Sequence, residues 1–132
     1  MVEVEARQVA ASRSARLDAI FAALADPTRR AIIERLSRSE ARVTEVAEPF
    51  AMTLNAVSKH IRVLEASGVV ARRRHGREHI LSINTGSLDE VDGWIEAVRR
   101  YWEQRLDAME RLLRELDEDR AVAPKDGKHG SR

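Results

Sequence analysis

Apolar residues recur at helical spacing through most of this chain. Leu17, Ile20, Phe21 and Leu24 form one stripe, which predicts a helix over roughly residues 13–25. Asp26-Pro27 then restarts the chain, because aspartate caps well and proline is tolerated at the first helical position. A second helix follows to about Ser37, with Ile32, Ile33 and Leu36 inward. After a short loop over Ser39–Val43, a third helix starts from a Thr44 cap and must stop near Pro49. Thr53 caps a fourth, in which Leu54, Val57, Ile61 and Leu64 make an apolar face that must be buried. It ends at Gly68, a residue suited to the left-handed C-terminal cap.

The period then shortens. Val69–Arg74 and Glu78–Ile83 read as two strands, with His75-Gly76 between them as a tight turn. Asn84-Thr85-Gly86 closes this hairpin, and Ser87 with Glu90 forms a capping box for a last helix. That helix is expected over 87–116, about 45 Å long at 1.5 Å per residue. Leu88, Ile95, Trp102, Met109 and Leu116 recur every seven residues along it. Val91, Val98 and Leu112 fill companion positions, Arg105 breaks that row, and Trp94, Tyr101, Leu106 and Leu113 widen the stripe. So much apolar surface exceeds what a small domain covers alone. Part should therefore pack on the chain's own core and part against a second copy. Leu17, Phe21, Trp94, Val98, Tyr101, Trp102, Met109 and Leu113 are the expected interface residues.

Residues 1–12 show no firm pattern and are expected to be flexible. Residues 117–132 lose the apolar period, gain proline and glycine, and read as a disordered tail. Lys125, Lys128 and Arg132 there either add weak phosphate attraction or are simply solvated. Between them, residues 13–116 are expected to form one domain, mainly α with a small β-hairpin wing. At 132 residues with 43% hydrophobic content, the chain can bury one modest core. Its N-terminus has acids and lacks the apolar core of a secretory signal, and no apolar run is long enough to span a membrane, so a cytoplasmic location is expected.

Net charge is only +1, but its distribution is uneven. From Thr53 to His79, Lys59, Arg62, Arg72, Arg73, Arg74 and Arg77 face only Glu65 and Glu78. From Ser87 to Arg120 there are 11 acids and 6 arginines, so the basic middle is followed by an acidic helix. On the fourth helix, Asn55, Ser58, Lys59 and Arg62 share the face opposite the apolar one. An amide, a hydroxyl and two cations supply the donors that base edges and phosphates accept. A basic hairpin directly after such a helix makes a two-part DNA footprint. Arg29 and Arg30 either touch phosphates, or brace the turn before them or pair with nearby acids.

Catalytic chemistry finds little support. Ser58 and His60 project roughly 200° apart on a helix and do not meet, and no Gly-rich phosphate loop is present. The absence of cysteine removes disulfides, thiolate metal sites and thiol switches together. His75 and His79 flank the turn and read as polar tip residues rather than metal ligands. No cofactor and no metal are expected.

Three segments in order, ALADPTRRAIIERL (Ala23–Leu36), VTEVAEPFAMTLNAVSKHIRVLEASGVV (Val43–Val70) and RRRHGREHILSI, resemble the ArsR/SmtB family of bacterial winged helix–turn–helix repressors. The resemblance covers roughly Leu17 to Leu116. It implies a winged helix–turn–helix, a homodimer through the first and last helices, and a repressor that binds an inverted-repeat operator in double-stranded DNA. Family members that sense metals carry a Cys-containing motif on the first helix of the helix–turn–helix; the matching Thr44–Glu48 has no thiol. Others use histidines on the last helix, and Ser87–Leu116 has none. The chain resembles members that lack these motifs and regulate themselves. Asn55, Ser58 and Lys59 are then expected near base edges, Ala56 against a thymine methyl, Thr53 and Arg62 on phosphates, and Arg74 and Arg77 on the backbone or minor groove, with His75 shaping the tip. Two further readings stay open: a small apolar effector near Trp94, Tyr101 and Trp102, and a wing that binds protein instead of DNA.

Overall fold

The computed structural model describes residues 2–130, with side chains described through residue 122. The elements in chain order are α1 (Val2–Leu24), α2 (Pro27–Arg38), β1 (Ala41–Arg42), α3 (Val43–Ala47), α4 (Leu54–Ala66), β2 (Val70–His75), β3 (Glu78–Ile83) and α5 (Thr85–Gly130). Residues up to Asp92 form one compact unit, and those from Gly93 onward form a second.

The core of the first unit follows from the apolar spacing. Ile20 and Ala23 of α1, Ile32 and Leu36 of α2, Val46 of α3 and Val57, Ile61 and Leu64 of α4 are buried together. Val69, just before β2, and Val70 and Leu81 of the sheet join them, with Leu88 and Val91 of the first turns of α5 packed at the edge. Each corner between helices is fixed by a cap. Asp26 accepts the Arg29 backbone N–H at 3.0 Å, and Pro27 occupies the first turn of α2. Thr53 Oγ1 accepts the Ala56 N–H at 3.1 Å. Gly68 closes α4 with φ +82°, a conformation that costs an L-residue about 1–2 kcal/mol.

The sheet is antiparallel with order β1-β3-β2. β2 and β3 pair from Val70↔Ile83 to His75↔Glu78, so the turn residues are Gly76 and Arg77. The expected His75-Gly76 turn is thus one residue out: His75 is the last strand residue. Gly76 has φ +64° while no non-glycine residue among those described has positive φ, the pattern of a type II′ hairpin turn with glycine first.

Several expectations need correction. β1 lies where a loop was expected; Ala41 and Arg42 pair with Leu81 and Ile80, and only that partner makes them a strand. α3 begins at Val43 rather than from a Thr44 cap, with Glu45 accepting the Arg42 N–H at 3.1 Å. The Ser87–Glu90 capping box does not form. The Ser87 hydroxyl donates to the Gly68 carbonyl at 2.7 Å, and Glu90 pairs with Arg16. At the start of α5, Asn84 Oδ1 instead accepts the Gly86 N–H at 3.2 Å. Leu54, expected in the buried face of α4, is 52% exposed, because the first turn of the helix overhangs the core.

At both ends the helices run further than the apolar pattern indicated. α1 begins at Val2, so residues expected to be flexible are helical. Their alanine, glutamate, glutamine and arginine content favours helix, yet all of them are exposed, so no stripe marks the helix in the sequence. α5 continues past Leu116 to Gly130. Elongating an existing helix needs no new nucleation, so the loss of apolar period alone does not end it. Lys125, Lys128 and Arg132 lie outside the residues whose side chains are described.

Candidate nucleic-acid interface

α4 and the β2–β3 hairpin carry the candidate surface, and the buried Val57, Ile61 and Leu64 fix which side of α4 points outward. Asn55, Lys59 and Arg62 are exposed on that side, while Ser58 and Ala56 are half-buried. Thr53 is exposed and its hydroxyl oxygen is engaged as the helix cap. In the wing, Arg74, His75 and Arg77 are all exposed at the tip.

Ion pairs divide the six cations of this region into two groups. Arg72 pairs with Glu65 of α4 at 2.6 Å, in a contact whose side chains keep only 29% and 28% of their exposure. Arg73 pairs with Glu40, just before β1. Among the described residues, Lys59, Arg62, Arg74 and Arg77 have no carboxylate partner, and all four belong to the surface just described. Beside the hairpin turn, Arg42 bridges Glu45 at 2.8 Å and Glu78 at 2.9 Å, joining α3 to the first residue of β3. The Arg42 guanidinium and N–H hold the Glu45 carboxyl below the usual carboxylate range.

Arg29 and Arg30 are committed elsewhere. Arg29 donates to the Ala23 carbonyl at 2.7 Å and the Ala22 carbonyl at 3.0 Å, and Arg30 donates to the Leu24 carbonyl at 2.8 Å. These are orphan carbonyls at the C-terminal end of α1, so both arginines brace the α1–α2 corner. His60 approaches the same corner, with Nδ1 3.3 Å from Arg29 and 3.7 Å from Asp26. The Arg29 N–H, with help from the nearby His60 and Arg29 charges, lowers the Asp26 pKa.

Between the first turn of α4 and the wing lies a cleft of about 370 Å³, lined by Arg42, Val43, Thr44, Leu54, Arg72, Arg77, Glu78 and His79. Sequence reasoning missed Leu54 as part of this surface; its place at the extreme end of the apolar row was the available signal. Among the described residues no three histidine, aspartate or glutamate side chains converge as a metal site.

The expected interface residues sit on α1 and α5. Leu17 is half-buried and Phe21 is 38% exposed. On α5, Trp94, Val98, Tyr101, Trp102, Met109 and Leu113 are all exposed in the single chain. Tyr101 and Trp102 meet edge to face at 6.5 Å, and the Arg105 guanidinium lies 5.7 Å from the Tyr101 ring.

A polar helix capped at Thr53, set on a three-helix core and followed at once by a basic hairpin, defines a winged helix–turn–helix. Residues 24–73 match the helix–turn–helix domain family. The chain is 39% identical over 87 residues to the HTH-type transcriptional regulator YuzN of Bacillus subtilis, a match spanning 60% of this chain and 95% of that protein. It is 30% identical over 76 residues to the transcriptional repressor SdpR of the same organism, covering 58% of this chain and 84% of SdpR. The crystal structure of an ArsR family transcriptional regulator aligns with a TM-score of 0.65 at 42% identity, over 68% of this chain and 93% of that one. The chain belongs to the ArsR/SmtB family of winged helix–turn–helix transcriptional regulators, which are DNA-binding proteins and not enzymes. No helix among the described residues is long and apolar enough to cross a membrane.

Proposed function

We propose that this protein is an autoregulatory repressor that binds an inverted-repeat operator as a homodimer. The observation that carries the reading is the partition of the six cations of α4 and the wing: the four that have no carboxylate partner among the described residues lie on the exposed side of α4 and at the wing tip. Asn55, Ser58 and Lys59 face base edges in the major groove, with Ala56 against a thymine methyl. Thr53 and Arg62 hold phosphates. Arg74 and Arg77 reach the backbone or minor groove, and His75 shapes the tip.

The dimer is inferred from α5. Tyr101, Trp102, Leu106, Met109 and Leu113 are each 56–60% exposed, and apolar rows of this length are stable in water when a partner covers them. α5 from Trp94 and Val98 onward is then the dimerisation helix, with Leu17 and Phe21 of α1 adding to it. A twofold axis places the two recognition helices in successive major grooves, about 34 Å apart or a multiple of that.

Fluorescence anisotropy tests the proposal, using DNA from immediately upstream of the protein's own gene beside a scrambled duplex at two salt concentrations. Tight, salt-sensitive preference for the native DNA is expected. Equal weak binding to both duplexes would refute autoregulation, and no binding at low salt would assign the basic wing to a protein partner.

A further inference from the structure

The first turn of α4 exposes an apolar pair that the polar reading of the helix does not use. Leu54 is 52% exposed and Met52, two residues earlier, 43% exposed, in the same stretch as Thr53 and Asn55. At 100° per residue, Leu54 lies about 40° around the helix from Ser58, on the border between the buried row and the polar face. It also lines the cleft that Arg77 closes from the wing side. Leaving a leucine and a methionine in water beside donors aimed at DNA needs a reason. In the major groove, the apolar group on the base edges is the C5-methyl of thymine. The N-terminal residues of a recognition helix are the ones that reach the bases. Ala56, the other apolar residue of this turn outside the core, is half-buried and projects only one methyl.

We propose that Leu54, supported by Met52, reads thymine methyl groups in each half-site and so sets part of the operator's sequence preference. The occupant of this apolar patch is double-stranded DNA, because the patch is continuous with Thr53 and Asn55 and Arg77, which has no carboxylate partner among the described residues, lines the same cleft as Leu54. This inference rests on the DNA-binding role of α4 and names one specificity determinant within it. Burying one methyl is worth about fourfold in affinity, and two half-sites together about fifteenfold.

The test uses the full chain and a duplex selected by it from a random pool, made once with thymine and once with uracil at every thymine position. The exchange removes only the methyl groups and keeps base pairing. Wild type is expected to bind the uracil duplex about fifteenfold or more weakly. Leu54→Ala should bind the thymine duplex more weakly than wild type and lose most of its discrimination between the two duplexes. Leu54→Met, which keeps an apolar tip, should retain it. Thermal melts check folding, and Met52→Ala supplies a second variant outside the helix.

Unchanged discrimination in folded Leu54→Ala and Met52→Ala would overturn the methyl assignment while leaving DNA binding by α4 intact. Equal wild-type affinity for the two duplexes would overturn it as well, even if Leu54→Ala binds poorly, because Leu54 would then touch sugar or a protein. Failure to select any duplex would sink the DNA reading itself.

Discussion

Counterion release gives the cation partition a number. Each phosphate neutralised on duplex DNA contributes about 0.9 to the slope of log affinity against log salt. Arg62, Arg74 and Arg77 in each protomer of a dimer make about six contacts, hence a slope near −5 and roughly a 10³-fold loss of affinity between about 50 and 200 mM salt. Replacing one of them by alanine removes two contacts per dimer. The slope should then fall in magnitude by about 1.8, and the loss over the same salt range should shrink about twelvefold. Arg72→Ala is the control, since that guanidinium is held by Glu65 in a half-buried pair. Arg73 is a poorer control, because its pair with Glu40 is about half exposed and opens cheaply. Anisotropy titrations at five or six salt concentrations measure each slope. If Arg72→Ala flattens the slope as much as Arg74→Ala or Arg77→Ala, internal pairing does not decide which cations meet phosphate and the reasoning is wrong.

Three other outcomes are expected. Trp102→Glu removes about 100 Å² of apolar contact per protomer, or about 5 kcal/mol per dimer, so self-association should weaken about a thousandfold or more; light scattering that still shows a dimer at nanomolar concentration would place the interface elsewhere. Gly68→Ala forces a Cβ into a φ of +82° and to 3.1 Å from Ser87 Oγ, so Tm should fall by at least about 5 °C, and an unchanged Tm would mean the α4–β2 corner relaxes freely. Because the Asp26 pKa is lowered in the folded state, the stability from its charge is complete above its ordinary value of 3.8 and is lost as pH falls through the lower folded value. Asp26→Asn, which keeps a capping oxygen, should flatten the decline of Tm below about pH 4, and a parallel decline in both proteins would refute the assignment.

The helix–turn–helix and wing were legible because their signals are local. Thr53 caps within its own first turn, Gly68 and Gly76 supply positive φ where α4 ends and where the hairpin turns, and Val57, Ile61 and Leu64 declare the buried side of α4. What stayed hidden depends on distant partners or on an absent pattern. Ala41 and Arg42 carry no strand signal of their own and become β1 only against Leu81 and Ile80. Arg73 and Glu40 are 33 residues apart, so nothing near Arg73 shows that its charge is already matched. Ser87 looks like a cap because Glu90 follows it, but the Gly68 carbonyl is the better partner once the corner folds. Leu54 fits the apolar row by spacing, and only the extent of the core decides that the row ends one residue short of it.

Strand alternation explains why adjacent arginines in the wing have different fates. Along β2, alternate side chains share a face, so Arg72 and Arg74 project to one side and Arg73 to the other. Arg72 reaches Glu65 on α4, which identifies its side of the hairpin as the one turned toward the recognition helix. Arg74 stands on that side but about 7 Å nearer the tip, and it makes no ion pair among the described residues. The Arg72–Glu65 pair therefore does two things at once. It removes one cation from the phosphate-binding set and ties the hairpin that carries Arg74 to α4. Arg72→Ala should accordingly weaken DNA binding by a modest factor at every salt concentration while preserving the slope. A parallel shift of the line and a change in its steepness are distinguishable in the same titration, and only the first is compatible with a brace.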